Sequence, residues 1–128
     1  MKTPVIVLAI FLLGFLQHPK SLDCSAFKNG KFRSKLSGRD YVIERFGAIQ
    51  KEYFVNTGDT TVEVLKVKWL DDCTYTLTPT EETRIKSMVP KDAVVTVSII
   101  STTANSYTQT SKANFSKEIY TSEFFKMD

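Results

Sequence analysis

From Cys24 onward, apolar and polar residues alternate with a period of two, and turn-forming residues interrupt the alternation at short intervals. Successive side chains of a strand point to opposite faces, so this rhythm marks β structure rather than helix. Eight segments carry it: 29–35, 40–46, 49–56, 61–69, 73–78, 92–102, 106–112 and 115–125. The gaps are mostly two to five residues. A parallel crossover needs about a dozen residues, so neighbouring segments pair antiparallel. Such a meander leaves two bare edges unless it closes on itself. The expected fold is all-β, an antiparallel up-and-down meander of about eight strands forming a small barrel or half-barrel. At most one short helix fits, near residues 80–87, where Thr80 can cap, Glu81 and Glu82 favour the first turn, and Pro90 ends whatever forms.

Two hairpins can be registered. Gly47-Ala48 suits a type II′ turn, which pairs Phe46 with Ile49, Glu44 with Lys51 and Val42 with Tyr53 on one face. The other face then carries Arg45 opposite Gln50, Ile43 opposite Glu52, and Tyr41 opposite Phe54. A three-residue turn at Leu70-Asp71-Asp72 would set Trp69 opposite Cys73, Val67 opposite Tyr75 and Leu65 opposite Leu77. That face is apolar, and the reverse face holds lysines and threonines, as expected over a core. Val94–Ile100 reads as the most buried strand, and Tyr107, Phe115, Ile119, Tyr120, Phe124 and Phe125 as aromatic and aliphatic bulk for the core.

Ahead of this region, Lys2 precedes an apolar run from Pro4 to Leu16, followed by polar residues and Pro19. A basic start and an apolar run of about a dozen residues fit a signal peptide and fall short of the roughly 20 that span a bilayer. Residues 1–22 are therefore expected to be a signal peptide and 23–128 one β-barrel-like domain, secreted or periplasmic, with no stable membrane span after cleavage. Asp23 sits where a lipoprotein signal needs a small residue, so lipid anchoring at Cys24 is not expected. The two cysteines, Cys24 and Cys73, are expected to form a disulfide in an oxidising compartment.

Several chemistries drop out. The single histidine, His18, lies in the expected leader, so a mature chain has none for a Ser-His-Asp, Cys-His or multi-histidine zinc site. The formal charge is +3 with no basic run, which argues against nucleic-acid binding. Asp71-Asp72 reads as turn chemistry, without the alternating oxygen ligands of a calcium loop. No catalytic residue, metal ligand or cofactor is expected, and the chain is read as non-enzymatic.

The stretch from Cys24 to Phe32, with Ile43-Glu44-Arg45, Gln50-Lys51-Glu52 and the run from Lys68 to Tyr75, resembles a family of small exported bacterial proteins of unknown function. The resemblance covers roughly residues 24–77, with both cysteines and the tryptophan in order. Thr74 departs from the glutamate that often follows the second cysteine there. The resemblance implies a lipocalin-like architecture and carries over no binding residues.

One constellation remains. Arg45, Gln50 and Glu52 share a face with Tyr41, Ile43 and Phe54, and buried charges must be paired or satisfied. An Arg45–Glu52 diagonal pair with Gln50 alongside would do so structurally. The same groups could instead orient a small amphipathic ligand inside a barrel, with Trp69, Tyr75 and Val67 as its wall. The candidate ligand-binding residues are thus Arg45, Gln50, Glu52, Trp69 and Tyr75. The alternative is a protein–protein interaction module, an inhibitor or envelope component, with a filled core.

Overall fold

The computed structural model describes residues 22–128; the expected leader, apart from Leu22, lies outside the described residues. A 3-10 turn, Cys24–Phe27, precedes eight strands: β1 Gly30–Leu36, β2 Arg39–Phe46, β3 Ile49–Phe54, β4 Glu63–Trp69, β5 Thr74–Pro79, β6 Val95–Thr102, β7 Ser106–Ala113 and β8 Tyr120–Lys126. Each pairs antiparallel with its sequence neighbours, and β8 returns to β1, so the meander closes into a barrel. The one α-helix among the described residues, α1 Glu81–Lys86, begins at Thr80, whose hydroxyl accepts from the Thr83 amide at 3.4 Å.

All six expected pairs of the β2–β3 hairpin are present. Gly47 has φ +62° while Ala48 has no positive φ, as a type II′ turn requires. The β4–β5 hairpin is slipped by two residues: Trp69 faces Tyr75, Val67 faces Leu77 and Leu65 faces Pro79. A slip of two keeps every side chain on its expected face, because the strand period is two. Its cause lies in the turn. The Asp71 carboxylate accepts from the Cys73 amide at 2.8 Å, and the Leu70 amide bonds to the Thr74 carbonyl at 2.8 Å. Those bonds lengthen the loop and release Cys73 from the ladder. Asp71-Asp72 is turn chemistry as read.

Two segments, expected from 92 and 115, start well inside their expected bounds, at Val95 and Tyr120. The Asn114 side chain accepts from the Val94 amide at 3.0 Å and donates to the Asp92 carbonyl at 2.8 Å, which holds residues 92–94 out of β6. A turn at Ser116, closed by its amide on the Ala113 carbonyl at 3.2 Å, delays β8 to Tyr120. Phe115, Ile119, Tyr120 and Phe125 are consequently exposed, not core residues, while Tyr107 and Phe124 are buried as expected. The most buried strand is β2, with Val42, Ile43 and Arg45 all buried, rather than β6.

The two ends of the barrel differ. At one end lie the β2–β3, β4–β5 and β6–β7 turns and the 3-10 turn, whose Phe27 is fully buried. Phe27 joins Cys24, Phe32, Ile43, Ile99, Tyr107 and Phe124 in a core cluster that plugs this end. The expected disulfide is formed: Cys24 bonds Cys73 with the two Cα atoms 5.3 Å apart, fastening the plug to the β4–β5 loop. At the other end lie the β1–β2, β3–β4 and β7–β8 connections and the segment that carries α1.

The disulfide spans 49 positions, and a loop of that length is worth roughly 4 kcal/mol of chain entropy. Reduction, or Cys24→Ser, is expected to lower the melting temperature by on the order of 15 °C in calorimetry. An unchanged transition would show that the plug holds without its covalent tie.

Candidate functional site

Arg45 projects from the last turn-side positions of β2 into the plugged end and is completely buried. Removing a guanidinium from water costs several kcal/mol unless its donors find acceptors. Here all five do. Nε donates to the Lys28 carbonyl at 3.1 Å, Nη1 to Gln50 Oε1 at 2.8 Å and the Tyr75 hydroxyl at 3.0 Å, and Nη2 to the Phe27 carbonyl at 2.5 Å and the Tyr107 hydroxyl at 3.3 Å. The rings of Tyr75, Phe32, Tyr107 and Trp69 lie 4.8 to 5.8 Å from the guanidinium carbon and add cation–π attraction.

Gln50, also buried, extends the network. Its amide accepts from Arg45 and donates to Glu52 Oε2 at 2.6 Å. Glu52 takes a further hydrogen bond from the Tyr41 hydroxyl. The expected direct Arg45–Glu52 pair is therefore absent: Gln50 stands between them as a relay. Burial raises the Glu52 carboxyl above its ordinary range, against the hydrogen bonds from Tyr41 and Gln50; the nearby Glu63 raises it further, while Arg45 lowers it. Burial and then the Glu52 charge raise the Tyr41 phenol, which stays protonated and donates.

Beyond Glu52 the barrel is hollow. A cavity of about 690 Å³ runs from Tyr41, Glu52, Gln109 and Phe124 to the end that carries α1. Its walls are largely apolar, with Leu65, Leu77, Val95 and Val97 among them. Of the five residues picked out in the sequence, only Glu52 lines this cavity. Arg45, Gln50 and Tyr75 are buried behind it, and Trp69 packs at the plugged end, its ring 4.6 Å from that of Tyr75. Val67 is buried with Tyr75, Leu77 and Val97 and lies outside the lining. The plugged and hollow halves thus divide a set that the shared face had suggested as one.

Tyr41, Glu63 and Gln109 were missed as cavity groups. Tyr41 was visible as a neighbour of Glu52 on the same face. Glu63 was not, because its position directly opposite Glu52 depends on the β3–β4 register, and the irregular connection 55–62 hides that register from the sequence. Among the described residues, no group of three or more His, Cys, Asp or Glu side chains could hold a metal ion, and no helix is long and apolar enough to cross a membrane. Comparison with protein-family models, curated proteins and solved structures found no match to this chain.

Two stability predictions follow from the network. Arg45→Ala strands two carbonyls and three side chains without their donor and is expected to cost on the order of 3–5 kcal/mol in chemical denaturation; a change within error would show the knot to be dispensable. The native state binds the Glu52 proton more tightly than the unfolded chain. The stability this confers is complete below the ordinary value of 4.5 and is lost as pH rises through the raised native value. The stability of Glu52→Gln relative to the parent should therefore increase as pH rises from 4.5 through the raised native value and level off above it, and a pH-independent difference would contradict it.

Proposed function

We propose that the protein is an exported, non-enzymatic barrel that holds a small amphipathic ligand in the cavity beyond Glu52. One observation carries this reading: about 690 Å³ of interior, apolar along its walls and polar at its floor. Small-molecule sites have this build, with volumes from about 300 Å³ upward and a few fixed polar groups. An interaction module that presents only its surface has no use for such a hollow, so the cavity favours the ligand-binding reading over the filled-core alternative.

The mouth supports it too. Leu36, Phe115 and Tyr120 line the cavity and are still 48%, 55% and 58% exposed. Large apolar side chains held in water at the rim of an apolar hollow suit the passage of an apolar ligand. In this reading Arg45, Gln50 and Tyr75 build a rigid floor, and Glu52 with its hydrogen-bond donor Tyr41 meets the ligand. Export is supported by the basic start and apolar run of the N-terminus, by the disulfide, which persists in oxidising compartments, and by the resemblance to small exported bacterial proteins.

The test is a titration with N-phenyl-1-naphthylamine, an uncharged apolar dye whose emission rises on leaving water. The parent protein should saturate at one dye per chain. Leu77→Trp, which fills the cavity, should weaken binding by about tenfold or more, roughly 1.4 kcal/mol, while circular dichroism shows the barrel retained. Failure of the dye to bind the parent protein, or equal binding by a folded Leu77→Trp, would overturn the proposal.

A further inference from the structure

The charged side chains lining the cavity are Lys35, Glu52 and Glu63. Lys35 sits at the rim, 73% exposed, and is engaged with Asp40 at 3.7 Å. Glu52 and Glu63 lie deeper and face one another directly across β3 and β4. Like charges opposed on neighbouring strands repel, and a carboxylate among apolar walls has lost much of its hydration. Among the described residues neither glutamate has an ion-pair partner. Glu63 accepts one side-chain hydrogen bond, from the Ser87 hydroxyl at 3.3 Å. Arg45 cannot serve, since all five of its donors are engaged and Gln50 separates it from Glu52.

A side recess of about 200 Å³ opens beside the pair. It shares Leu36, Tyr41, Glu52 and Glu63 with the main cavity and adds Tyr53 and Phe54. The Tyr41 and Phe54 rings are 5.3 Å apart and tilted by 53°. Arg39 already lies over Phe54 at 4.0 Å, so a cation on this aromatic pair is compatible with the local field. Over Tyr41 no cation lies among the described residues. Aromatic faces beside carboxylates attract organic ammonium groups through charge and ring quadrupole together.

We infer, resting on the ligand-binding reading above, that the ligand is an amphipathic organic cation, its ammonium held between Glu52 and Glu63 against Tyr41 and its apolar body along Leu65, Leu77, Val95 and Val97. An anionic amphiphile would bring a third negative charge to two that already repel. A neutral one would leave the two glutamates facing one another without a counter-charge in a drier cavity. The cation alone supplies the counter-charge that neither glutamate has among the described residues, and its tail fills the hollow toward the mouth.

Calorimetric titration of the protein at neutral pH with decylammonium, decanol and decanoate, which share one tail, separates the possibilities. Decylammonium should bind about tenfold or more tighter than decanol, and decanoate weakest. In the Glu52→Gln, Glu63→Gln double variant the preference should vanish, with decylammonium falling to the level of decanol and decanol unchanged. Should decanol or decanoate match decylammonium on the parent protein, the cation inference is overturned while the cavity remains a ligand site. If none of the three binds and the naphthylamine dye also fails, the ligand-binding reading itself falls. The head-group preference of the parent protein is decisive even if the double variant does not fold.

Discussion

A guanidinium taken out of water must find five acceptors in the right directions, and the way Arg45 finds them organises this barrel. Two come from the backbone of the 3-10 turn and its exit, Phe27 and Lys28; the others come from β3, β5 and β7. A single side chain on β2 thereby fixes the distance across the barrel and the seat of the plug. No strand pairing could do this, because β2, β5 and β7 are not neighbours in the sheet. Apolar packing alone would tolerate sliding of the plug; a fork of fixed geometry does not. The network also explains why the phenols of Tyr75 and Tyr107 can be buried: each has the guanidinium as a donor to its oxygen.

With one end committed to Arg45 and the disulfide, the apolar residues available for the other end are few. The strands there carry Ser34, Ser111 and Ser122 on the cavity side, small groups that cannot fill the interior. The wall also loosens on that side. β1 bonds to β8 only at Phe32 and Arg33, although it continues to Leu36. Past that point Ser34 and Lys35 face Thr121 and Ser122 across the main cavity and across an outer recess of about 450 Å³. The barrel is therefore tightest where it is plugged and slackest where it is hollow. Local opening is easiest where ladder bonds and apolar contacts are fewest, which places the most deformable part of the wall beside the cavity.

How much of this could be read from the chain depends on the range of the interaction. Local rhythm and turn chemistry were legible: eight strands, the capped helix at Thr80, and the whole Gly47-Ala48 hairpin with its mixed face. The disulfide was legible because only two cysteines exist. The two-residue slip at Trp69 was not, since Asp71 had to be seen accepting from Cys73 before the longer loop could be preferred. The late start of β8 likewise came from hydrogen bonds that an alternating pattern does not encode. At the site, the polar trio on β2 and β3 was visible, but its division was not. Arg45 and Gln50 turn out to serve the plug, and Glu52 the cavity, because the boundary between the halves is drawn by Phe27 arriving from outside the sheet.

That boundary gives Gln50 a particular role. Had Arg45 reached Glu52 directly, the two charges would have cancelled and the cavity floor would be close to neutral. The amide instead accepts from one and donates to the other, so its dipole satisfies both ends while holding the charges apart. At greater separation the attraction falls with distance, and Glu52 keeps more of its field for whatever lies in the hollow. Burial and Glu63 push its carboxyl up, whereas the relay and Tyr41 pull it down. Burial is the largest of these effects, so the carboxyl sits above its ordinary range. A glutamine at this position therefore does more than fill space between two strands: it joins the structural knot to the cavity without letting the knot neutralise it.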